Sequence, residues 1–301
     1  MSFRKFGRMI GCIAIGAMFM TLTGCFTDAT DTTQQSTSGG GTNPSLDSAS
    51  QPTTSGEFGT ATPGTDTYRG FVMDNVLHSP DDGDIHFHIH IPDSYDSSTP
   101  VALFLTLPGY QGLYFQGVGK NLYTEDFGFE AQRYDDRMII VAPQLSDWGE
   151  TSARQAIALT EYLLDAYAID ATRVFAEGYS GGGETMSRVM GMRPDLFSAY
   201  LHCSSRWDGD IPTLIESETP VYLVVGHDDE YYGSEPSETA YHQIHDLYAN
   251  HGLTEDQIDD LVILDVKDAD YFTDQGVTNQ HGGGSALFSH DPDIMGWLFN
   301  R

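Results

Sequence analysis

The sequence predicts an α/β domain built on a largely parallel sheet, and three observations carry that expectation. Residues 101–106, 138–143 and 221–225 are unbroken apolar runs of strand length, as suits strands buried on both faces. Helix-period stretches fall between such runs, so strand and helix alternate along the chain. At the centre a short strand, 173–176, passes through Gly178-Tyr179-Ser180-Gly181-Gly182 into a helical stretch, 184–192. No second domain boundary and no internal repeat interrupts this pattern, which predicts one domain over residues 66–301.

The residues before it read differently. Arg4, Lys5 and Arg8 precede an apolar run, 9–22, that is short for a membrane span. The run ends in Leu22-Thr23-Gly24-Cys25, which resembles the lipobox of bacterial lipoproteins. That resemblance implies a signal peptide over 1–25, lipid on Cys25, and an exported domain tethered outside the cytoplasm to the cell membrane or envelope. Residues 26–65 are Thr, Ser, Gly, Gln and Pro with scarcely an apolar side chain. Such a stretch cannot bury enough surface to offset chain entropy and is expected to be a disordered tether reaching roughly 35 Å. Of three cysteines, Cys12 would leave with the signal and Cys25 would be acylated. Cys203 then stands alone, and no internal disulfide is expected. The charge is strongly acidic, 44 Asp and Glu against 14 Lys and Arg, net −30. It argues against nucleic acid as a partner, and because the acids are dispersed it reads as a solubilising, salt-adapted or extracellular surface.

Within the domain, 67–77 predicts a first strand and Ser79-Pro80-Asp81-Asp82-Gly83 a turn. Residues 85–91 alternate strictly, with His86, His88 and His90 on the face opposite Ile85, Phe87 and Ile89. Imidazoles at that spacing spread over about 13 Å, so a solvated face is expected there rather than a metal site. The buried run 101–106 leads into Leu107-Pro108-Gly109-Tyr110-Gln111-Gly112, a loop whose glycines let backbone approach closely. The strand 138–143 leads into a loop carrying Trp148. A helix over 151–167 shows its stripe in Ala156, Leu159, Leu163 and Tyr167. Strands are expected at 197–203, 221–225 and 261–266, and helices at 237–251 and 293–299.

The central stretch fits Gly-x-Ser-x-Gly, the pattern of a nucleophile elbow. A serine on so tight a strand-to-helix turn leaves no room for side chains two residues either side. The following helix aims its N–H groups and positive end at the serine, where an oxyanion would form. A serine hydroxyl also needs a base, and the base an orienting carboxylate, both gathered at the carboxyl ends of strands. Gly226-His227-Asp228-Asp229-Glu230 follows the strand 221–225. His281 sits in a glycine-rich loop, Asn279 to Gly284, before the closing helix.

The run from Ile169 to Gly183, with Arg193-Pro194-Asp195-Leu196-Phe197 downstream, resembles the α/β-hydrolase esterases. It is most similar to the branch of feruloyl esterases, acetylxylan esterases and polyhydroxybutyrate depolymerase-like enzymes. The resemblance implies the α/β-hydrolase fold, with Ser180 as nucleophile, Asp229 as acid (Asp228 the alternative) and His281 as base (His290 the alternative). It implies an oxyanion hole from the N–H groups of Gly181 and Tyr110, although Pro108-Gly109 stands where the family commonly has His-Gly. Trp148, Trp207 and Tyr231, with Tyr110, Tyr114, Phe115 and Tyr232, are expected in loops on the active face and can line a cleft or simply pack there. The expected activity is serine carboxylesterase, on feruloyl or acetyl groups of polysaccharides or on polyesters, with neither metal nor organic cofactor. A serine peptidase of the same fold and a non-catalytic binding scaffold are the competing expectations.

Overall fold

A computed structural model describes residues 56–109, 122–123, 125–146 and 149–301. Among the described residues ten strands form one sheet: β1 Thr60–Thr62, β2 Asp66–Tyr68, β3 Phe71–Ser79, β4 Gly83–His90, β5 Val101–Leu107, β6 Met138–Gln144, β7 Ile169–Tyr179, β8 Ala199–Cys203, β9 Val221–Gly226 and β10 Val262–Lys267. Their spatial order is β1-β3-β4-β6-β5-β7-β8-β9-β10, with β2 also on β3. From β6 through β10 every pairing is parallel, while β1 to β4 join antiparallel at one end. The expected parallel sheet is therefore present, with an antiparallel hairpin region added at its amino-terminal edge.

The apolar runs are explained by burial on both faces. Leu103 and Leu105 of β5 point into one core with Ile139, Val141, Val174 and Leu223. Ala102 and Phe104 point into the other with Ile140, Phe175 and Val224. The first core is covered by α2 Glu150–Ala166, α3 Gly181–Met192, α4 Ile211–Ser217, α5 Glu235–Asn250 and α6 Glu255–Leu261. The second is covered by α1 Phe127–Glu130, α7 Ala269–Thr273, α8 Gln280–His290 and α9 Pro292–Phe299. Each fully buried Leu or Phe contributes about 1.5–3 kcal/mol, so this three-layer packing holds the central strands in register. No helix among the described residues is long and apolar enough to cross a membrane.

Three expectations change. The tether was expected to run through residue 65, but Thr60–Thr62 pairs with His78, Leu77 and Val76 of β3. Phe58 and Ala61 pack on the core, and the Gly64 N–H donates to Asn75 Oδ1 at 3.1 Å. A polar three-residue edge strand needs only backbone partners and carries no apolar signal. The single strand expected over 67–77 is instead a hairpin, because Arg69 and Gly70 turn the chain with φ of 49° and 88°. The histidine face of β4 is not uniformly solvated. His88 is buried, and its Nδ1 accepts the Asp74 N–H at 2.9 Å, because Asp74 (φ 57°) sits in a bulge of β3 that turns its amide onto that face. Among the described residues no His, Cys, Asp and Glu gather as metal ligands. Among the described residues α1, α4, α6, α7 and α8 have no expected helical counterpart, and α4 and α6 fill the connections either side of β9 and α5.

Candidate active site

Ser180 stands between the last residue of β7 and the first of α3, with φ 53° and ψ −119°. That is a costly conformation for a side chain other than glycine, and it turns Oγ out of the sheet's carboxyl edge. The flanking glycines are required by close approach. A Cβ on Gly178 would lie 2.7 Å from the Gly182 carbonyl oxygen, and one on Gly182 only 2.0 Å from that of Leu107. Backbone bonds lock the turn: Ser180 N–H donates to Cys203 O at 3.0 Å, and Ser180 O accepts from Ser205 Oγ at 2.6 Å and Glu184 N–H at 3.1 Å.

From Ser180 a row of hydrogen bonds leads inward. Oγ lies 3.0 Å from His281 Nε2, and His281 Nδ1 lies 2.8 Å from Asp229 Oδ2. The other Asp229 oxygen accepts the N–H groups of Tyr231 at 3.0 Å and Tyr232 at 2.8 Å. Asp229 is 5% exposed. Burial pushes its pKa up, but the bonds from His281, Tyr232 and Tyr231 outweigh it and hold the carboxyl below the ordinary value. An ionised carboxylate only accepts, so Nδ1 carries the ring proton and Nε2 is left as the acceptor for the serine hydroxyl.

The histidine is not in a loop. The glycine-rich segment expected to be a loop begins α8, with His281 in its first turn and Asn279 capping it through Gly282 N–H. Three glycines in succession are poor helix formers, yet a Cβ on Gly283 would lie 2.4 Å from Val277 Cγ1 and one on Gly284 3.0 Å from the Tyr179 phenol oxygen. Tertiary crowding decides the element here, and local propensity does not.

The alternatives lie elsewhere. Asp228 is exposed and pairs with His227, while His290 bonds the Ala286 carbonyl and faces Glu130. Gly181 opens α3 beside Ser180. Tyr110, Trp148, Tyr114, Phe115 and Cys25 lie outside the described residues. Gly109, before Tyr110, runs against the nucleophile, since a Cβ there would be 3.8 Å from Ser180 Cβ. Tyr231 is 66% exposed and stacks on the His281 ring, centroids 5.2 Å apart and planes at 29°. Trp207, for which cleft lining and simple packing were both open, packs: it lies against Tyr200 and His202 and donates its indole N–H to Gly209 O. Its large ring is drawn to the apolar layer beside β8.

Tyr232 was expected only as a loop aromatic on the active face, and the parts played by Glu184, Glu177 and Glu125 escaped sequence reasoning. Tyr232 crosses the His281 ring edge-on and donates its phenol to Glu184 Oε1 at 2.8 Å, which Arg206 Nε also meets at 2.9 Å. Burial and that carboxylate raise the Tyr232 pKa. Below the elbow, Glu177 accepts Thr106 Oγ1 at 2.8 Å, and burial together with the charge of Glu125 raises its pKa well above the carboxylate range. Glu125 accepts the Gly109 N–H at 2.7 Å, and its carboxyl is pushed up by burial to about 8. Only Tyr232 and Glu184 had a signal, as neighbours of the two motifs.

Comparison with solved structures bears on this architecture. A crystal structure of a thermostable esterase superposes with a TM-score of 0.62 at 17% identity, covering 77% of this chain and 62% of that one. Oligopeptidase B from Leishmania major superposes with a TM-score of 0.51 at 14% identity, covering 76% of this chain and 37% of that one. The fold is that of an α/β-hydrolase. The model of the prolyl oligopeptidase family matches residues 145–251 of this α/β-hydrolase chain, from the end of β6 to just past α5. Feruloyl esterase B from Thermothelomyces thermophilus is 29% identical over 122 residues, 38% of this chain and 42% of that protein. The matched segment thus spans less than half the length of the curated relative.

Proposed function

We propose that this α/β-hydrolase is a serine carboxylic ester hydrolase acting through an acyl-enzyme. The observation that carries the reading is the unbroken row Ser180 Oγ, His281, Asp229, with links of 3.0 and 2.8 Å, set on a strained elbow at a helix N-terminus. Ser180 Oγ attacks the ester carbonyl carbon as its proton passes to His281 Nε2. Asp229 holds the imidazolium that results. The tetrahedral oxyanion meets the Gly181 N–H at the positive end of α3, with the Tyr110 N–H as second donor. On collapse the leaving alcohol takes the proton from Nε2. A water activated by the freed imidazole then hydrolyses the acyl-serine, releasing the acid.

The feruloyl esterase relative supports feruloyl esters as the substrate class, and acetyl groups of polysaccharides and polyesters remain within the same chemistry. Tyr231, exposed beside the base, is the substrate-facing wall. The match to the prolyl oligopeptidase family favours a second reading, a serine peptidase with the same triad. The test uses the full-length chain on short-chain p-nitrophenyl esters, feruloyl esters and acetylated sugars against peptide p-nitroanilides, with a fluorophosphonate label mapped by mass spectrometry. Ester turnover far above peptide turnover and labelling at Ser180 are expected. A preference for peptide anilides would transfer the assignment to the peptidase, and folded protein that neither turns over nor labels would sink both.

Export and lipid attachment at Cys25 complete the proposal, supported by Leu22-Thr23-Gly24-Cys25 behind a basic and apolar leader. In a bacterial host, Cys25→Ser should move the protein from the membrane to the soluble fraction. An unchanged distribution would rule out the lipid anchor.

A further inference from the structure

His281 is held by its backbone as well as by its ring. Its N–H donates to Glu230 Oε2 at 3.0 Å, and its carbonyl oxygen accepts the Tyr179 phenol. Tyr179 immediately precedes Ser180, and Glu230 immediately follows Asp229. Two dipeptides, Tyr179-Ser180 and Asp229-Glu230, therefore each send one side chain to the imidazole and one to the main chain of the same residue. Four polar atoms of His281 are engaged: Nε2 by Ser180, Nδ1 by Asp229, N by Glu230 and O by Tyr179.

The sequence of α8 gives this bracing a purpose. His281 lies in the first helical turn, where N–H groups lack intrahelical partners, and the three residues after it are glycine, the weakest helix former after proline. Such a turn would fray if held only by its own bonds, carrying the imidazole with it. Misplacement of a catalytic group by 1 Å can cost about 100-fold in rate. Gly284 links the two facts. A Cβ there would come within 3.0 Å of the Tyr179 phenol oxygen, so the glycine that weakens the helix also admits the group that braces it.

We propose that Tyr179 and Glu230 are positioning residues that set the place of the His281 imidazole through its main chain, an inference that rests on reading Ser180, His281 and Asp229 as a catalytic triad. Tyr179 is buried and keeps its shape as phenylalanine, while Glu230 is exposed and can be varied without disturbing a core.

The experiment measures kcat and KM for a p-nitrophenyl ester in the full-length chain, with Tyr179→Phe, Glu230→Ala and Glu230→Gln beside the parent. Tyr179→Phe and Glu230→Ala should lower kcat by about 10- to 100-fold with KM within about twofold. Glu230→Gln keeps an oxygen for the same N–H and should stay within about threefold of the parent. A merely structural role would lower the melting temperature without separating kcat from KM or glutamine from alanine. Should Tyr179→Phe fail to fold, the two Glu230 variants decide. Parent-like kcat in Tyr179→Phe and Glu230→Ala, or equal loss in Glu230→Gln and Glu230→Ala, would overturn the proposal while leaving the triad intact. A folded parent that neither hydrolyses esters nor takes the fluorophosphonate label would remove the triad reading, and the positioning role with it.

Discussion

Ser180→Ala is expected to lower ester turnover at least about 10⁴-fold while moving the melting temperature by only a few degrees. The methyl group fits the same strained turn, whose backbone bonds to Cys203, Ser205 and Glu184 do not involve the lost hydroxyl. Asp229→Asn should come within reach of the same loss, about 10⁴-fold, for a geometric reason. The Asp229 oxygen facing away from the histidine already accepts two N–H groups, from Tyr231 and Tyr232. An asparagine carbonyl must therefore take that place, leaving the amide NH₂ to face His281 Nδ1. The ring would then carry its proton on Nε2, where it cannot accept from Ser180. Asp228→Asn, at an exposed residue paired with His227, should change kcat less than about twofold. Combining Ser180→Ala with Asp229→Asn should cost little more than Ser180→Ala alone, since groups that act as a unit are not additive. Steady-state rates on one p-nitrophenyl ester check all four proteins. A Ser180→Ala protein within tenfold of the parent would end the nucleophile assignment.

What was legible in the chain is what local sequence determines. The elbow could be read because its constraint is local. Strand, two glycines and helix all lie within residues 173–192, and the glycines at 178 and 182 face backbone a turn or a strand away. The double-sided strands could be read because burial on both faces leaves no polar alternation. His281 could be located by order along the chain but not by element, since three glycines argue for a loop unless Val277, Tyr179 and Phe288 are known to crowd them. His88 shows the same limit on a strand. Alternation assigns its face, and a bulge at Asp74 decides that this part of the face is covered. The edge strand Thr60–Thr62 had no hydrophobic pattern to betray it. Trp207 carries the residue type of a binding cleft and is used to cover Tyr200 and His202. Glu125 and Glu177 left no mark at all, because a buried acid is defined by what folds around it.

That pair of acids leads to the second large effect, an alkaline weakness that Glu125→Gln should remove. In the unfolded chain Glu125 ionises near the ordinary value of 4.5, whereas in the folded chain burial holds its proton until about 8. Between those values the native state binds more protons than the unfolded state, so stability falls as pH rises. The loss runs from about pH 4.5 to about pH 8 and levels off above it, worth at most about 4–5 kcal/mol at about 1.4 kcal/mol per unit. Glu177, buried beside it with its pKa raised by burial and by the Glu125 charge, adds in the same direction. In Glu125→Gln the amide oxygen still accepts the Gly109 N–H, and the NH₂ replaces an Oε2 that has no partner among the described residues. The exchange is therefore close to neutral at pH 4 and stabilising at pH 9, where the melting temperature should rise by roughly 10 °C. Parallel pH–stability curves for parent and variant would show that Glu125 ionises at its ordinary value in the folded protein. Because Glu125 holds the backbone that runs past Ser180, measuring ester turnover on the same variant separates two roles for the acid. Unchanged kcat at pH 7 would mean that a neutral acceptor is all the Gly109 amide needs. A fall in kcat with rising stability would mean that the strained, acid-bearing floor of the site is kept for catalysis at the expense of the fold.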